Sequence, residues 1–197
     1  MTYELRPDPV LLTAIVMALI LLPELIIHLA RQSCALSSIR VDDSSLASIW
    51  VTIVTAIVIA VPFGYYLIPE SLFFQLNRTG VIVLLSIWLF GLLLRIWSIY
   101  TLGSFFTVNV AIHKGHQLIA SGPYALVRHP SYTGLLLELL ALSLTYQHFI
   151  SIALIMIPSF LALMMRIRME EKILEAHLGD EYRSYQQQTY FLLPYLF

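Results

Sequence analysis

The sequence predicts an all-α integral membrane protein of about five transmembrane helices, the last two forming a tight helical hairpin. Three observations carry that reading. Hydrophobic residues make up 59% and charged residues 12% of the 197-residue chain, whereas a soluble domain carries roughly 25% charged residues. Five apolar stretches approach the roughly 20 residues needed to span a bilayer. Lys and Arg fall almost wholly on one side of the topology those stretches imply.

The stretches cover residues 9–30, 46–68, 80–102, 130–147 and 148–165. The first has no basic n-region and contains Glu24 and His28, so it reads as a span rather than a cleaved signal. The fourth and fifth are near the lower limit of roughly 17 residues for a span. They abut at Tyr146-Gln147-His148 with almost no loop, hence the hairpin, which need not cross the full bilayer. The chain forms one membrane domain, with 1–101 a three-helix scaffold and 102–197 carrying the chemistry.

Five spans put Arg31, Arg40, Lys114, Arg128, Arg166, Arg168, Lys172 and Arg183 on one side, against Arg6 and Arg78 on the other. The richer side is cytoplasmic by the positive-inside rule, which leaves the N-terminus outside. Arg95, within the third span, is expected to snorkel to the cytoplasmic interface. A net charge of −1 gives no sign of nucleic-acid binding. Cys34 is alone, so neither an intramolecular disulfide nor a Cys-based metal site is expected. His113 and His116 have no carboxylate nearby to complete a metal site.

Two polar clusters meet the membrane on the same face. The first is the run Gly122-Pro123-Tyr124-Ala125-Leu126-Val127-Arg128-His129-Pro130-Ser131-Tyr132. Pro130 suits the first turn of a helix, which puts Arg128 and His129 at the entrance of the fourth span, beside unpaired N–H groups. The second continues the fifth span outward with Arg166, Arg168, Glu170, Glu171, Lys172 and Glu175, stops at Gly179, and is followed by Tyr182, Tyr185, Tyr190 and an apolar end. Because the two spans form a hairpin, His, Arg and backbone N–H groups on one side face Arg and two carboxylates on the other. Such a pocket suits a zwitterionic ligand next to lipid.

Each feature also has a plainer reading. Arg166 and Glu170 are four apart, a common surface ion-pair spacing. Lys114 reads as a positive-inside anchor. Glu24, His28 and Glu138 either line a tunnel or pair between helices. The aromatic tail reads as an interfacial anchor or a cap over a site before it reads as a catalyst.

At these residues the chain resembles the isoprenylcysteine carboxyl methyltransferase family of integral membrane enzymes. The resemblance rests on His116-Gln117-Leu118-Ile119, Gly122-x-Tyr124, Arg128-His129-Pro130-Ser131-Tyr132, Arg166, Glu170-Glu171 and Gly179-Asp180-Glu181-Tyr182-x-x-Tyr185. It implies S-adenosylmethionine as cofactor, held in a cytoplasmic pocket by Asn109, His116, Gln117, Leu118, Ile119, Tyr124, His129, Pro130, Ser131, Tyr132 and Glu170. It further implies that Arg166 faces the methyl acceptor and that Arg128 is needed for activity. The implied acceptor is lipophilic, a prenylated cysteine carboxylate first and a phospholipid amine as the nearest variant. No metal and no nucleic acid is implied. A membrane reductase using NADPH and a non-catalytic membrane carrier stand as the other readings.

Overall fold

A computed structural model describes residues 8–31, 39–42, 44–67, 69, 73–103, 110–112 and 118–194. Three long helices come first: α1 (Pro9–Arg31), α2 (Ser44–Leu67) and α3 (Arg78–Leu102). A one-turn 3-10 helix at Gly122–Ala125 leads into α4 (Pro130–Leu144), α5 (Phe149–Leu178) and α6 (Asp180–Gln188). A small antiparallel ribbon joins β1 (Ile39–Asp42) to β2 (Val110–Ile112), an element the all-helical expectation lacked.

Among the described residues four helices, α1, α2, α3 and α5, are long and apolar enough to cross a membrane. The fourth expected span is shorter than its apolar run: α4 has 15 residues and ends at Leu144. At 1.5 Å per residue it reaches only about 22 Å, short of a hydrocarbon core of about 30 Å. The run overreached because Thr145, Tyr146 and Gln147 belong to the turn, where Gln147 takes a positive φ of 58°. The fifth span is longer than its apolar run, because α5 continues through the polar cluster to Leu178. Gly179, at φ 57°, then ends it in a backbone conformation that suits glycine.

The loops segregate to two ends. β1 and β2 tie the α1–α2 and α3–α4 connections together at one end. At the other, a bridge between Phe73 and His148 ties the α2–α3 connection to the hairpin turn, and the Phe74 amide donates to the Gln147 carbonyl at 2.9 Å. His148 caps α5, accepting from the Ser151 amide at 3.2 Å.

α3 packs chiefly on α4, α2 on α5, and α4 on α5. Lipid tails are as apolar as Leu, so packing and polar contacts rather than burial from water hold such helices together. The α3–α4 crossing depends on two glycines. A Cβ on Gly134 would lie 2.5 Å from the Gly91 carbonyl, and one on Gly91 would lie 2.7 Å from the Gly134 carbonyl. At the α2–α5 crossing, the Ser151 hydroxyl donates to the Ala60 carbonyl at 3.0 Å. Between the pairs, Val16 and Ile20 of α1, Ile53 and Ile57 of α2, Leu139 and Leu142 of α4 and Ile155 and Leu163 of α5 share one core.

Arg95 departs from expectation. It is buried rather than snorkelling, and its guanidinium pairs with Glu24 of α1 and, at 3.5 Å, with Glu138 of α4. A nearby pair of carboxylates offers the charge what the interface would otherwise supply, without leaving the bundle. Glu24 and Glu138 are thus interhelical partners, while the His28 side chain lies outside the described residues.

Candidate functional site

The site forms where the entrance of α4 meets the outer part of α5. Pro130 is the first residue of α4, so its missing N–H leaves no donor wanting a partner. Arg128 and His129 therefore stand just outside the helix, and Tyr132 lies within its first turn. On α5, Arg166 and Glu170 share one face, while Ile167 and Glu171 share the next.

Tyr132 joins the two helices. Its hydroxyl donates to Glu170 Oε2 at 2.9 Å and accepts from Arg166 Nε at 3.0 Å. Arg166 is buried and Glu170 half-buried, so this chain of three polar groups begins inside the protein and ends at its edge. Beside it, Glu171 Oε1 takes Arg128 Nε at 2.9 Å and His129 Nε2 at 3.1 Å. With Glu171 ionised, Nε2 of His129 must carry the proton in that contact.

Arg128 also fastens the C-terminal segment. Its Nη1 donates to the carbonyls of Gln186 at 3.0 Å and Thr189 at 2.6 Å, and its guanidinium lies 5.4 Å from the Phe191 ring centre. The Arg128 amide donates to the Tyr190 carbonyl and the Tyr190 amide to the Leu126 carbonyl, a short parallel bridge. Thr133 adds a hydroxyl bond to the Leu192 carbonyl at 2.6 Å, and Phe191 meets the His129 ring edge-on at 5.5 Å. Residues 189–192 thus form a strap across the α4 entrance.

Tyrosines close the side nearest α6. The buried Tyr185 hydroxyl donates to the Tyr124 carbonyl at 2.7 Å. Burial pushes the Tyr185 phenol up to about 12, so it keeps its proton for that bond. Burial also raises the Tyr124 and Tyr182 phenols, and the adjacent carboxylates raise them further: Glu170 for Tyr124, Glu171 and then Glu170 for Tyr182.

Of the residues expected from sequence, His129, Tyr132, Arg166 and Glu170 come together directly, and Tyr124 is tied by its carbonyl to Tyr185. Leu118 and Ile119 are half-buried in the approach to the 3-10 turn, Pro130 is buried, and Ser131 is half-buried next to it. Asn109, His116 and Gln117 lie outside the described residues, as do His113 and Lys114. Arg128 is present, with Nε committed to Glu171 and Nη1 to the strap. Among the described residues no group of three or more His, Cys, Asp or Glu is arranged to hold a metal.

The tail read as an interfacial anchor or a cap over a site, and the strap is of the second kind. Glu171 was given no role of its own. A signal for Glu171 was available: it lies four residues after Ile167 and three before Leu174, on the apolar stripe of α5. A carboxylate on such a stripe points into the protein.

Residues 81–176 match the model of the isoprenylcysteine carboxyl methyltransferase (ICMT) family. That span takes in Arg128, His129, Tyr132, Arg166, Glu170 and Glu171. Over these residues the chain is similar to the ICMT family. Its architecture agrees: the solved structure of a eukaryotic intramembrane Ras methyltransferase ICMT superposes with a TM-score of 0.55 at 26% identity, covering 77% of this chain and 51% of that one. The ICMT match extends to the protein-S-isoprenylcysteine O-methyltransferase of Schizosaccharomyces pombe, 34% identical over 77 residues, which are 39% of this chain and 33% of that protein. The Tribolium castaneum protein of the same name is 32% identical over 114 residues, 57% of this chain and 41% of that protein. An uncharacterized Bacillus subtilis protein, YpbQ, is 28% identical over 134 residues, 60% of this chain and 80% of that protein. The chain thus spans a third to under three fifths of the named methyltransferases it matches.

Proposed function

We propose that this protein is a membrane methyltransferase that uses S-adenosylmethionine to esterify a lipid-linked carboxylate of the isoprenylcysteine class at the cytoplasmic membrane face. The observation that carries the reading is the hydrogen-bonded line Arg166–Tyr132–Glu170, which sets a cation for an acceptor beside a carboxylate for a cofactor. The match of residues 81–176 to the ICMT family model supports the reaction class.

The donor set fits the cofactor. Its ammonium and sulfonium want a carboxylate, which Glu170 supplies from a half-buried position. Its carboxylate wants N–H donors, which the amides at the start of α4 supply, with His129 held beside them by Glu171. Half-buried Leu118 and Ile119 and the Tyr124 ring suit its adenosine. When bound, S-adenosylmethionine offers an activated methyl group that a carboxylate oxygen takes as the neutral thioether departs.

The chain's own residues then have a limited task. An acceptor carboxylate is ionised at neutral pH, so no general base is required. Arg166 is a fork of fixed geometry that can hold that carboxylate and orient one oxygen. Alignment of this kind is worth about 7–11 kcal/mol in favourable cases. Desolvation near lipid strips water from the nucleophile. Glu171 and Arg128 act at one remove, by fixing His129 and the strap.

Calorimetric titration of S-adenosylmethionine into detergent-purified protein is the test, with Glu170→Ala, His129→Ala and Arg166→Ala alongside. The expected result is binding lost in the first two and retained in Arg166→Ala, whose methyl transfer to a prenylcysteine is lost instead. Absence of binding by the wild-type protein in detergent and in lipid nanodiscs, or activity that depends on NADPH, overturns the proposal.

A further inference from the structure

We infer that the Tyr132 hydroxyl couples the two ligand sites, so that cofactor and acceptor bind cooperatively and each favours the other. The inference rests on the methyltransferase reading above and adds to it a linkage between the sites.

Tyr132 has one proton, and Glu170 Oε2 holds it at 2.9 Å. Its oxygen lone pair takes Arg166 Nε at 3.0 Å. A neutral hydroxyl between a cation and an anion is polarised by both, and each bond strengthens the other, more so in a low-dielectric setting. Arg166 is only 4% exposed, so water screens its end of the line poorly. The line therefore holds both end groups against ligands as well as against each other.

A cation arriving at Glu170 drains negative charge from the carboxylate. The Tyr132 proton is then held less tightly, its oxygen becomes a poorer acceptor, and Arg166 is more readily turned to a carboxylate ligand. The reverse order has the same effect: an anion on Arg166 weakens its hold on the Tyr132 oxygen and loosens Glu170 for a cation. Linkage requires the two effects to be equal in size. No change of fold is needed, because Arg166 and Glu170 stand one helical turn apart on α5 and Tyr132 touches both.

Such couplings are typically about 5- to 150-fold in affinity. The test measures the affinity of S-adenosylhomocysteine, which cannot react, with and without saturating N-acetyl-S-farnesylcysteine, in nanodiscs. The wild-type protein is expected to bind the first ligand at least about 5-fold more tightly when the second is present. In Tyr132→Phe, which keeps the ring, that factor is expected to fall to within about twofold of unity while each ligand alone still binds. In steady state, the acceptor KM of the wild-type enzyme should fall as S-adenosylmethionine is raised, and the KM of Tyr132→Phe should not. Tyr132→Leu removes the ring as well and serves as the second variant. Both ligands binding to the wild-type protein independently overturns the coupling and leaves the methyltransferase reading intact. A coupling factor unchanged in both variants overturns the assignment to Tyr132. Failure of the wild-type protein to bind S-adenosylhomocysteine at all overturns the methyltransferase reading, and this inference with it.

Discussion

Arg128→Lys separates a residue that holds the site together from one that acts on a ligand. Arg128 reaches three acceptors in different directions: Glu171 at 2.9 Å, the Gln186 carbonyl at 3.0 Å and the Thr189 carbonyl at 2.6 Å. Its side chain is 13% exposed and that of Glu171 17%, so solvent screening is weak. A lysine keeps the charge but donates from a single nitrogen, which cannot reproduce the planar fork. If it keeps Glu171, it abandons both carbonyls. Hydrogen bonds from charged groups contribute about 1.5–3 kcal/mol each and are not additive. The strap should thus lose about 2–4 kcal/mol, which raises its opening equilibrium ~30- to ~1000-fold.

Hydrogen exchange reads that quantity directly. The Tyr190 amide, bonded to the Leu126 carbonyl, should exchange faster by that factor in Arg128→Lys, together with its neighbours in 186–192. Amides at the α2–α5 crossing should not change. Methyl transfer should fall in parallel, because Phe191 of the strap packs edge-on against His129. Activity lost with the strap still protected would refute the reasoning and place Arg128 on the ligand.

Other substitutions test the bundle that carries the site. Gly134→Ala sets a methyl 2.5 Å from the Gly91 carbonyl and 2.4 Å from Arg95 Cγ, where ordinary contact begins at 3.4 Å. α3 and α4 must then part by nearly an ångström, at a cost of about 1–3 kcal/mol or more, visible as a lower melting temperature than that of lipid-facing Leu93→Ala. Arg95→Leu leaves Glu24 and Glu138 without their cation and should cost about 3–5 kcal/mol; adding Glu24→Gln and Glu138→Gln should recover most of it in the same melt. Tyr185→Phe should cost about 1 kcal/mol by leaving the Tyr124 carbonyl without its donor. The folded Tyr185 phenol is raised to about 12, above an unfolded value near 10. Its contribution is therefore complete below about pH 10 and fades as pH rises towards 12, so the melting temperatures of wild type and Tyr185→Phe should converge there.

The spans were legible because lipid demands long apolar runs, and few other structures produce them. Their ends were less so, since an apolar turn such as Thr145–Tyr146 looks like helix until its hydrogen bonds are known. The Arg95 cluster escaped because pairing depends on how helices rotate against one another. Depth alone held a clue: Glu24 is seven residues from the end of α1, Arg95 seven from the end of α3, and Glu138 eight from the start of α4. Ionisable groups at one depth in neighbouring helices are expected to find each other. The residues of the site were legible by type and spacing, and the tail as an anchor or cap, but not the contacts that make it a strap. Its bonds run from side chains and backbone amides to carbonyls, and a carbonyl has no sequence signature.

Glu170 and Glu171 show how one residue of helical phase divides the labour. Successive residues on a helix point about 100° apart. Glu170 falls on the face of Arg166 and meets Tyr132 at the edge of the bundle, while Glu171 falls on the face of Ile167 and meets Arg128 and His129. Neutralising each should therefore give opposite signatures. Glu170→Gln keeps the shape of the side chain but removes the charge that a cationic ligand would meet, so S-adenosylmethionine affinity should fall while exchange in 186–192 stays at the wild-type rate. Glu171→Gln leaves that charge in place and weakens two charge-assisted bonds, so the strap should exchange faster by tenfold or more, taking about 1.5–3 kcal/mol per such bond, with cofactor affinity falling less than in Glu170→Gln. A conserved charge count cannot produce that split, because both variants lose one. Equal signatures from the two would mean that the carboxylates act through their summed field, and the geometric division of the site would have to be abandoned.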